Sequence, residues 1–366
     1  MNNISISDRE GIILVMFFMI GETTLLSKGV EAGNKFWLVI ILSMFISFFV
    51  IFMYARLQHI FQGNDLFDIL EICYGKVIGK GMVVLYTWYA FHLTTLIIDN
   101  VVQFINTVSF IDTPKIIIIL ILLILCTWLT KEEFYVMVNW GKLFLPVISI
   151  FLFITVVLLI PSMDINNILP LLFIDEIEPI IEGTFNVSIF PFSEILIFTM
   201  IISNLETKKS PYKVYFLGLL LSGIIILVFN IAVNLVLGTD TVSSAYFAPY
   251  GAASRIKMGE FFQRMEVVVS IIMILGSFIK ICMVLLGTCK GVSKVFRCPD
   301  YHFIVTPISL LLINVTYFQF NSIIEYTEWL SETYYKYAFL FIYVLPAMTL
   351  IIAELKKKQL INNSVS

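Results

Sequence analysis

Six ionisable side chains lie within or at the ends of long uncharged segments of this sequence. They are Glu22, His92, Asp99, Lys142, Glu194 and Lys280. An ionisable group in an apolar environment is costly unless it is paired, and such groups commonly bind ions, relay protons or hold a polar ligand. These six residues are therefore the first candidates for ion binding, proton transfer or ligand binding.

Two of the carboxylates lie beside residues that interrupt helices. Glu22 directly follows Gly21, and Glu194 lies three residues after Pro191. Backbone N–H groups that are freed at a helix break can stabilise an anion. Lys280 lies deep in its own segment, too far from either end to extend to the membrane surface, and this position favours an internal cavity.

The other three residues allow more than one interpretation. His92 and Asp99 are seven residues apart and share one face of a helix. His92 can be a hydrogen-bond partner of another helix or a proton relay. Asp99 can be solvated near a membrane surface, and Lys142 can extend its ammonium group to the interface.

The composition determines the kind of element that must position these residues. Of the 366 residues, 59% are apolar and only 13% are charged, and the mean hydropathy is +0.96. A soluble domain usually carries about 25% charged residues, so a soluble enzyme, a disordered chain and a secreted disulfide scaffold are excluded. A net charge of −3 does not suggest nucleic acid binding. Five scattered cysteines indicate free thiols.

The apolar segments predict an all-α polytopic membrane protein with ten transmembrane helices, because a bilayer core needs about 20 apolar residues. The predicted spans are Gly11–Ser27, Phe36–Tyr54, Gly81–Ile98, Ile116–Thr130, Leu143–Met163, Gly183–Leu205, Val214–Thr239, Val267–Cys289, Phe303–Ile324 and Tyr337–Ala353. We expect a single transmembrane domain over residues 1–366, with a short amphipathic helix over Asp65–Tyr74.

The first and sixth spans are interrupted, at Gly21 and at Pro191. A break in mid-membrane must line a protein or water cavity, and matched breaks in two halves indicate an inverted repeat with its substrate site between them. The predicted repeats cover residues 10–163 and 179–324, and the last helix covers residues 333–355. The alternative is that Gly21 is a packing glycine and Pro191 an ordinary kink.

The distribution of basic residues predicts the orientation. With the N-terminus inside, 15 of the 23 lysines and arginines fall on the cytoplasmic side and 7 on the outer side. This asymmetry predicts that both termini are cytoplasmic and that the acidic loop around Asp164–Glu182 faces outward.

Motifs for catalysis and nucleotide binding do not occur in the sequence. Gly75–Lys80 is one residue short of a P-loop, and Gly81 stands where a Ser or Thr would hold magnesium. We therefore expect neither an enzyme nor a resident cofactor or metal.

Five features in order along the chain resemble the endospore germination permeases, the B subunits of nutrient germinant receptors. This family belongs to the amino acid–polyamine–organocation transporter superfamily. The features are the glycine-broken first span and the blocks Glu71–Gly79, Asp164–Pro170, Phe190–Glu194 and Gly259–Glu266. One departure is that Asn139 and Trp140 stand where the family often has an arginine.

The resemblance implies a LeuT-like fold, a five-plus-five inverted repeat with broken helices 1 and 6. It also implies a pocket lined by spans one, three, six and eight. Together with the residues at the two breaks, the predicted ligand-binding set is Gly21, Glu22, Thr23, Tyr89, Leu93, Pro191, Phe192, Glu194, Ile279 and Lys280.

Three functions remain open at this stage. The resemblance implies a receptor subunit in the spore inner membrane that binds a small germinant, in most cases an amino acid, and acts with an A subunit and a lipoprotein C subunit. A proton-coupled amino acid permease and a germinant-gated ion channel are the alternatives. A fold alone does not decide among them.

Overall fold

The computed structural model describes residues 5–23, 26–170, 176–256 and 264–365, without the side chains of Thr23 and residues 358–365. The first five helices are α1 (Asp8–Thr23), α2 (Phe36–Ile60), α3 (Leu66–Val108), α4 (Lys115–Lys131) and α5 (Phe134–Leu159). The next five are α6 (Glu178–Val187), α7 (Leu196–Ile201), α8 (Ser210–Leu237), α9 (Thr239–Ser244) and α10 (Ala248–Ala253). The last five are α11 (Met265–Phe296), α12 (His302–Gln319), α13 (Ile323–Trp329), α14 (Tyr335–Phe339) and α15 (Leu345–Val365).

In the part of the chain that the structure describes, eight helical segments are long and apolar enough to cross a membrane. One of them combines α6 and α7, and another combines α13, α14 and most of α15. The apolar helices α1 and α4 are shorter, with 16 and 17 residues. The all-helical membrane architecture is confirmed, and the number of ten spans stays a prediction.

The predicted amphipathic helix before span three is present as the first part of α3. The Asp65 carboxylate accepts a hydrogen bond from the Asp68 backbone, and the Asp68 carboxylate accepts one from the Asp65 backbone. This reciprocal cap satisfies N–H groups that a helix start leaves free. Gly75 then changes the direction of the helix. Its φ of +80° lies in the left-handed region, which favours glycine.

Helix α6 ends at Val187, and Phe190 has the extended angles φ −121° and ψ 117°. A short turn, Ser193–Ile195, then leads into α7. The predicted interruption at Pro191 is therefore confirmed. Tyr54 and Tyr343 partly satisfy the polar groups of the broken segment, through the Ser193 carbonyl and the Ser188 hydroxyl.

The interruption of the first span begins later than the sequence predicted. Helix α1 continues through Gly21 and Glu22 and ends at Thr23, so Gly21 is itself helical. A methyl group added to Gly21 would lie 2.5 Å from the Gly276 carbonyl oxygen. The close approach of α1 and α11 is what requires a glycine here, which corrects the prediction of a break at Gly21 and fits the packing-glycine alternative.

Both described chain ends lie at one face of the helical bundle. Asp8 forms an ion pair with Lys213 at the start of α8, and Glu354 pairs with Arg56 near the end of α2. Gln58 on α2 links the two helix ends, because its side-chain oxygen accepts a hydrogen bond from the Tyr215 hydroxyl on α8 over 2.7 Å. The acidic loop contacts the opposite end of α8, where the Asp164 N–H donates to the Leu235 carbonyl.

Candidate functional site

Lys280 forms the centre of a buried charge cluster between α1, α11 and the broken sixth span. Its ammonium nitrogen is 2.7 Å from Glu22 Oε2 and 2.6 Å from Glu194 Oε2. The three residues are 0%, 4% and 1% exposed. Both carboxylates at the predicted breaks thus converge on the one lysine that the sequence placed deep in a span.

Each remaining carboxylate oxygen of the cluster has its own hydrogen-bond donor. The Asn100 amide of α3 donates to Glu22 Oε1 over 3.1 Å, and the Tyr334 hydroxyl donates to Glu194 Oε1 over 2.5 Å. Isolating a charge from water costs several kcal/mol unless such partners compensate. The complete set of partners explains how three ionised groups can be buried together.

Two aromatic rings pack against the Lys280 ammonium group. The centroids of Phe18 on α1 and Phe190 at the helix break lie 4.8 and 4.6 Å from its nitrogen. The electron-rich faces of these rings attract a cation. The centroid of Phe190 also lies 3.6 Å from the side-chain nitrogen of the buried Lys28, so one ring contacts two lysine side chains.

The formal charge of the three-residue cluster is −1, because two carboxylates contact one ammonium group. Such a cluster attracts a further cation or a proton. The Lys28 amine lies nearby, with a pKa that burial lowers to about 7, and its backbone N–H donates to the side-chain oxygen of Asn230 on α8 over 2.9 Å. The site therefore combines negative and positive groups of the kind that a zwitterionic ligand needs.

The structure places the other predicted site residues in three different environments. Pro191 and Phe192 lie buried at the helix break that leads to Glu194. Tyr89 is buried on α3, where its ring stacks on Phe341 at 4.9 Å. Leu93 and Ile279 are also buried, and their contact with a ligand stays a prediction.

Some of the predicted features fall outside the described residues. The side chain of Thr23 is one of them. Most of the block Gly259–Glu266 is another, including Glu260; Arg264 and the helical residues Met265 and Glu266 are described.

Three ionisable residues of the membrane segments have structural partners away from Lys280. The ring nitrogens of His92 lie 2.7 Å from the Tyr337 hydroxyl and 2.9 Å from the Gln319 amide, as expected of a hydrogen-bond partner of other helices. Asp99 is buried and pairs with Lys115, so the expectation of a solvated carboxylate was wrong. Lys142 pairs with Glu10 over 2.8 Å.

Sequence reasoning missed four residues that complete the site: Phe18, Lys28, Asn100 and Tyr334. Asn100 follows Asp99 in an apolar segment, and a buried amide there was a usable signal. Tyr334 gave no such signal, because it lies among five aromatic residues between positions 329 and 339. Only the arrangement of α13 and α14 brings its hydroxyl to Glu194.

The chain is similar in sequence to spore germination proteins. A family model described as spore germination protein matches residues 5–323. The chain is 24% identical over 322 residues to spore germination protein KB of Bacillus subtilis (strain 168), covering 86% of each protein. It is also 24% identical over 331 residues to spore germination protein A2 of the same organism, covering 88% of this chain and 87% of the relative.

A solved structure supports the fold at low sequence identity. MHP1, a nucleobase-cation-symport-1 family transporter in a closed conformation with bromovinylhydantoin bound, superposes with a TM-score of 0.67. The match covers 94% of this chain and 77% of the transporter, at 12% identity. The predicted LeuT-like class is thereby confirmed, and the fold is that of transporters.

Proposed function

The chain belongs to the spore germination protein family, and from this premise we propose that it is the B subunit of a nutrient germinant receptor. In this proposal a small germinant, an amino acid, binds in a mid-membrane pocket at the Glu22–Lys280–Glu194 cluster, and its binding triggers germination. The single observation that carries the proposal is the convergence of two carboxylates and one ammonium group at the interrupted spans.

An amino acid is a chemical match for this cluster. Its carboxylate can pair with Lys280, and its ammonium group can replace Lys280 as the partner of Glu194 or Glu22. The buried hydroxyl of Ser277, one turn before Lys280, has no hydrogen-bond partner among the described residues. Because buried polar groups are normally satisfied, this hydroxyl is available to a polar ligand.

The exchange of ion pairs also explains how binding would cause a change of conformation. The internal pairs hold α1, α11 and the broken sixth span together, and an amino acid would break these pairs and form its own. A ligand shifts an equilibrium only by its difference in affinity for the two states. The state with separated helices gains affinity because only there are the charged groups free to bind the ligand.

The proposed signal passes to partner subunits. We place the protein in the spore inner membrane, with both termini cytoplasmic, in a complex with the receptor A subunit and a lipoprotein C subunit. The family membership supports this assembly, and the shared face of the two chain ends is consistent with the orientation that the basic residues predict.

The test is amino acid binding to the purified protein in detergent, measured as an increase in thermal stability for a panel of single amino acids. Glu194→Gln keeps the size of the side chain but removes a charge, and we expect at least tenfold weaker binding, in line with the 2–5 kcal/mol typical of a disrupted buried charge pair.

Asp99→Asn is the matched control, because it makes the same change in a buried ion pair outside the cluster. It should bind the amino acid like the parent protein. Equal binding by the parent and Glu194→Gln, with both proteins folded, would place the ligand elsewhere and contradict the proposal.

A proton-coupled amino acid permease is the second candidate, and the formal charge of −1 in the cluster favours it. A proton taken up by Glu194 or Glu22 would neutralise the site, and its release would accompany transport. Uptake of a radiolabelled amino acid into proteoliposomes, driven by a pH gradient, would identify transport. Binding without uptake would favour the receptor.

A further inference from the structure

A second charged region lies at the membrane face that carries both chain ends, away from Lys280. It is a basin of about 730 Å³ between the start of α3 and the end of α11. We call it the basic basin; five cationic residues outnumber three carboxylates in its lining, namely Lys76, Lys80, Lys290, Lys294 and Arg297 against Asp65, Asp68 and Glu71.

Only part of this positive charge is used within the protein. Lys290 donates to the Ile201 carbonyl over 2.7 Å, and Lys294 pairs with Asp68 and Glu71. Among the described residues, no ion pair involves Lys76, Lys80 or Arg297. These three cations of the basin are therefore available to an anionic ligand.

An apolar groove of about 320 Å³ lies next to the basin, between α3, α11 and α12. It is lined by Val84, Trp88, Phe91, Val292, Phe296 and Leu311. Trp88 is 48% exposed and Phe296 is 73% exposed. The groove thus presents open apolar surface within the membrane-spanning region.

The basin and the groove form one continuous surface. Lys76 and Lys80 line the basin, while Val84 and Trp88 line the groove, and residues four apart share one helix face. On α11, Phe296 of the groove directly precedes Arg297 of the basin. A single amphiphilic molecule can therefore contact both regions.

We propose that this surface is a binding site for an anionic phospholipid. The phosphate-containing headgroup lies in the basic basin against Lys76, Lys80 and Arg297, and one acyl chain lies in the apolar groove. The planar guanidinium group of arginine can donate two parallel hydrogen bonds to two phosphate oxygens, and lysine adds point charges. A soluble phosphate would use the basin alone and would leave the groove without an occupant.

The test is lipid retention by the full chain, purified in detergent and measured by native mass spectrometry with added phosphatidylglycerol or phosphatidylcholine. We expect one phosphatidylglycerol to be retained, about 100-fold more tightly than phosphatidylcholine, because each of the three basic residues favours an anionic headgroup about fivefold. Equal retention of the two lipids would overturn the proposal.

Headgroup and acyl-chain contacts can be tested separately. The double change Lys80→Gln with Arg297→Gln should weaken phosphatidylglycerol retention about 25-fold. Val84→Trp keeps the basin but fills the groove, and it should weaken retention of both lipids. Lipid retention by either folded variant that equals the parent would contradict the proposed site.

The matched control is Lys131→Gln with Lys209→Gln, which removes two exposed basic residues that the sequence predicts on the same, cytoplasmic side. It should retain phosphatidylglycerol like the parent, and a loss as large as that of the basin variant would show a general effect of charge.

Competition with inorganic phosphate distinguishes a lipid headgroup from a soluble phosphate as the ligand of the basic basin. Displacement of the lipid by millimolar phosphate would indicate a soluble ligand and overturn the lipid assignment.

Discussion

At Lys280 a single ammonium group pairs with two carboxylates, and all three residues are buried from solvent. We predict that Lys280→Met lowers the free energy of unfolding by about 3–5 kcal/mol, because Glu22 and Glu194 would stay buried without a cation. Thermal unfolding in detergent measures the change. Adding Glu194→Gln to Lys280→Met should restore part of the stability, since one unpaired charge is removed, and a further loss in the double variant would contradict this account.

Tyr334 is the second residue of the cluster whose contribution to stability can be measured by itself. Tyr334→Phe removes the hydroxyl that donates to Glu194 over 2.5 Å and leaves the ring in place. We expect a loss of about 1.5–3 kcal/mol in unfolding free energy, as is typical of hydrogen bonds to charged groups. Tyr317→Phe, at a half-exposed ring on α12, is the control and should change stability little in the same assay.

Asp65, which lies outside the membrane-spanning segments, makes a pH-dependent contribution to the stability of the folded protein. Burial and the neighbouring Asp68 raise its pKa to about 6, above its usual value of 3.8. Because the folded state holds this proton more tightly, the contribution of Asp65 to stability falls as pH rises from about 4 to about 6. Lys290 and Lys294 lower the pKa in part.

Asp65→Asn tests this dependence, because asparagine also caps helices but does not titrate. Relative to the parent protein, the variant should gain thermal stability between pH 4.5 and pH 7. A stability difference that is constant across this range would show that Asp65 does not titrate there.

At the scale of elements, the contact between α1 and α11 depends on two glycines that face each other. Gly21→Ala would place a methyl group 2.5 Å from the Gly276 carbonyl oxygen, so the helices must separate. We expect a loss of about 1–3 kcal/mol, as is typical of overpacking, and reduced yield of folded protein. Separation would also lengthen the contact between Lys280 and Glu22, which these helices carry.

Gly81→Ala is the matched control for this prediction. Gly81 lies in α3, and an added methyl group would meet no atom within 4 Å. Helix propensity then favours alanine by up to about 1 kcal/mol, so this variant should be as stable as the parent or more stable. If both glycine variants behave alike in thermal unfolding, the α1–α11 contact is not as close as the structure indicates.

At the scale of the whole molecule, the fold places the chain ends and the acidic loop at opposite faces. Single cysteines at Ser5, Lys357 and Asn166 test this in a Cys298→Ser background, since Cys298 is the one cysteine that is not buried. A membrane-impermeant reagent should label Ser5 and Lys357 from one side and Asn166 from the other. Labelling of all three sites from the same side would contradict the topology.

The sequence by itself determined the membrane class, the all-helical architecture and the interruption of the sixth span. These properties follow from a local cost, because unpaired backbone groups and charges are unfavourable in an apolar medium wherever they occur. The same reasoning identified Glu22, Glu194 and Lys280 as unusual residues. It did not locate the end of α1, because the helix continues through Gly21 where packing against Gly276 supports it.

Only the tertiary structure decided which of these residues meet. Lys280 lies 258 residues after Glu22 and 86 residues after Glu194, and no local pattern relates positions so far apart. Asp99 shows the same limit, since its burial depends on Lys115, which lies on the next helix. The partners of a buried charge are set by how helices pack, and packing depends on the shape of the whole bundle rather than on the properties of one segment.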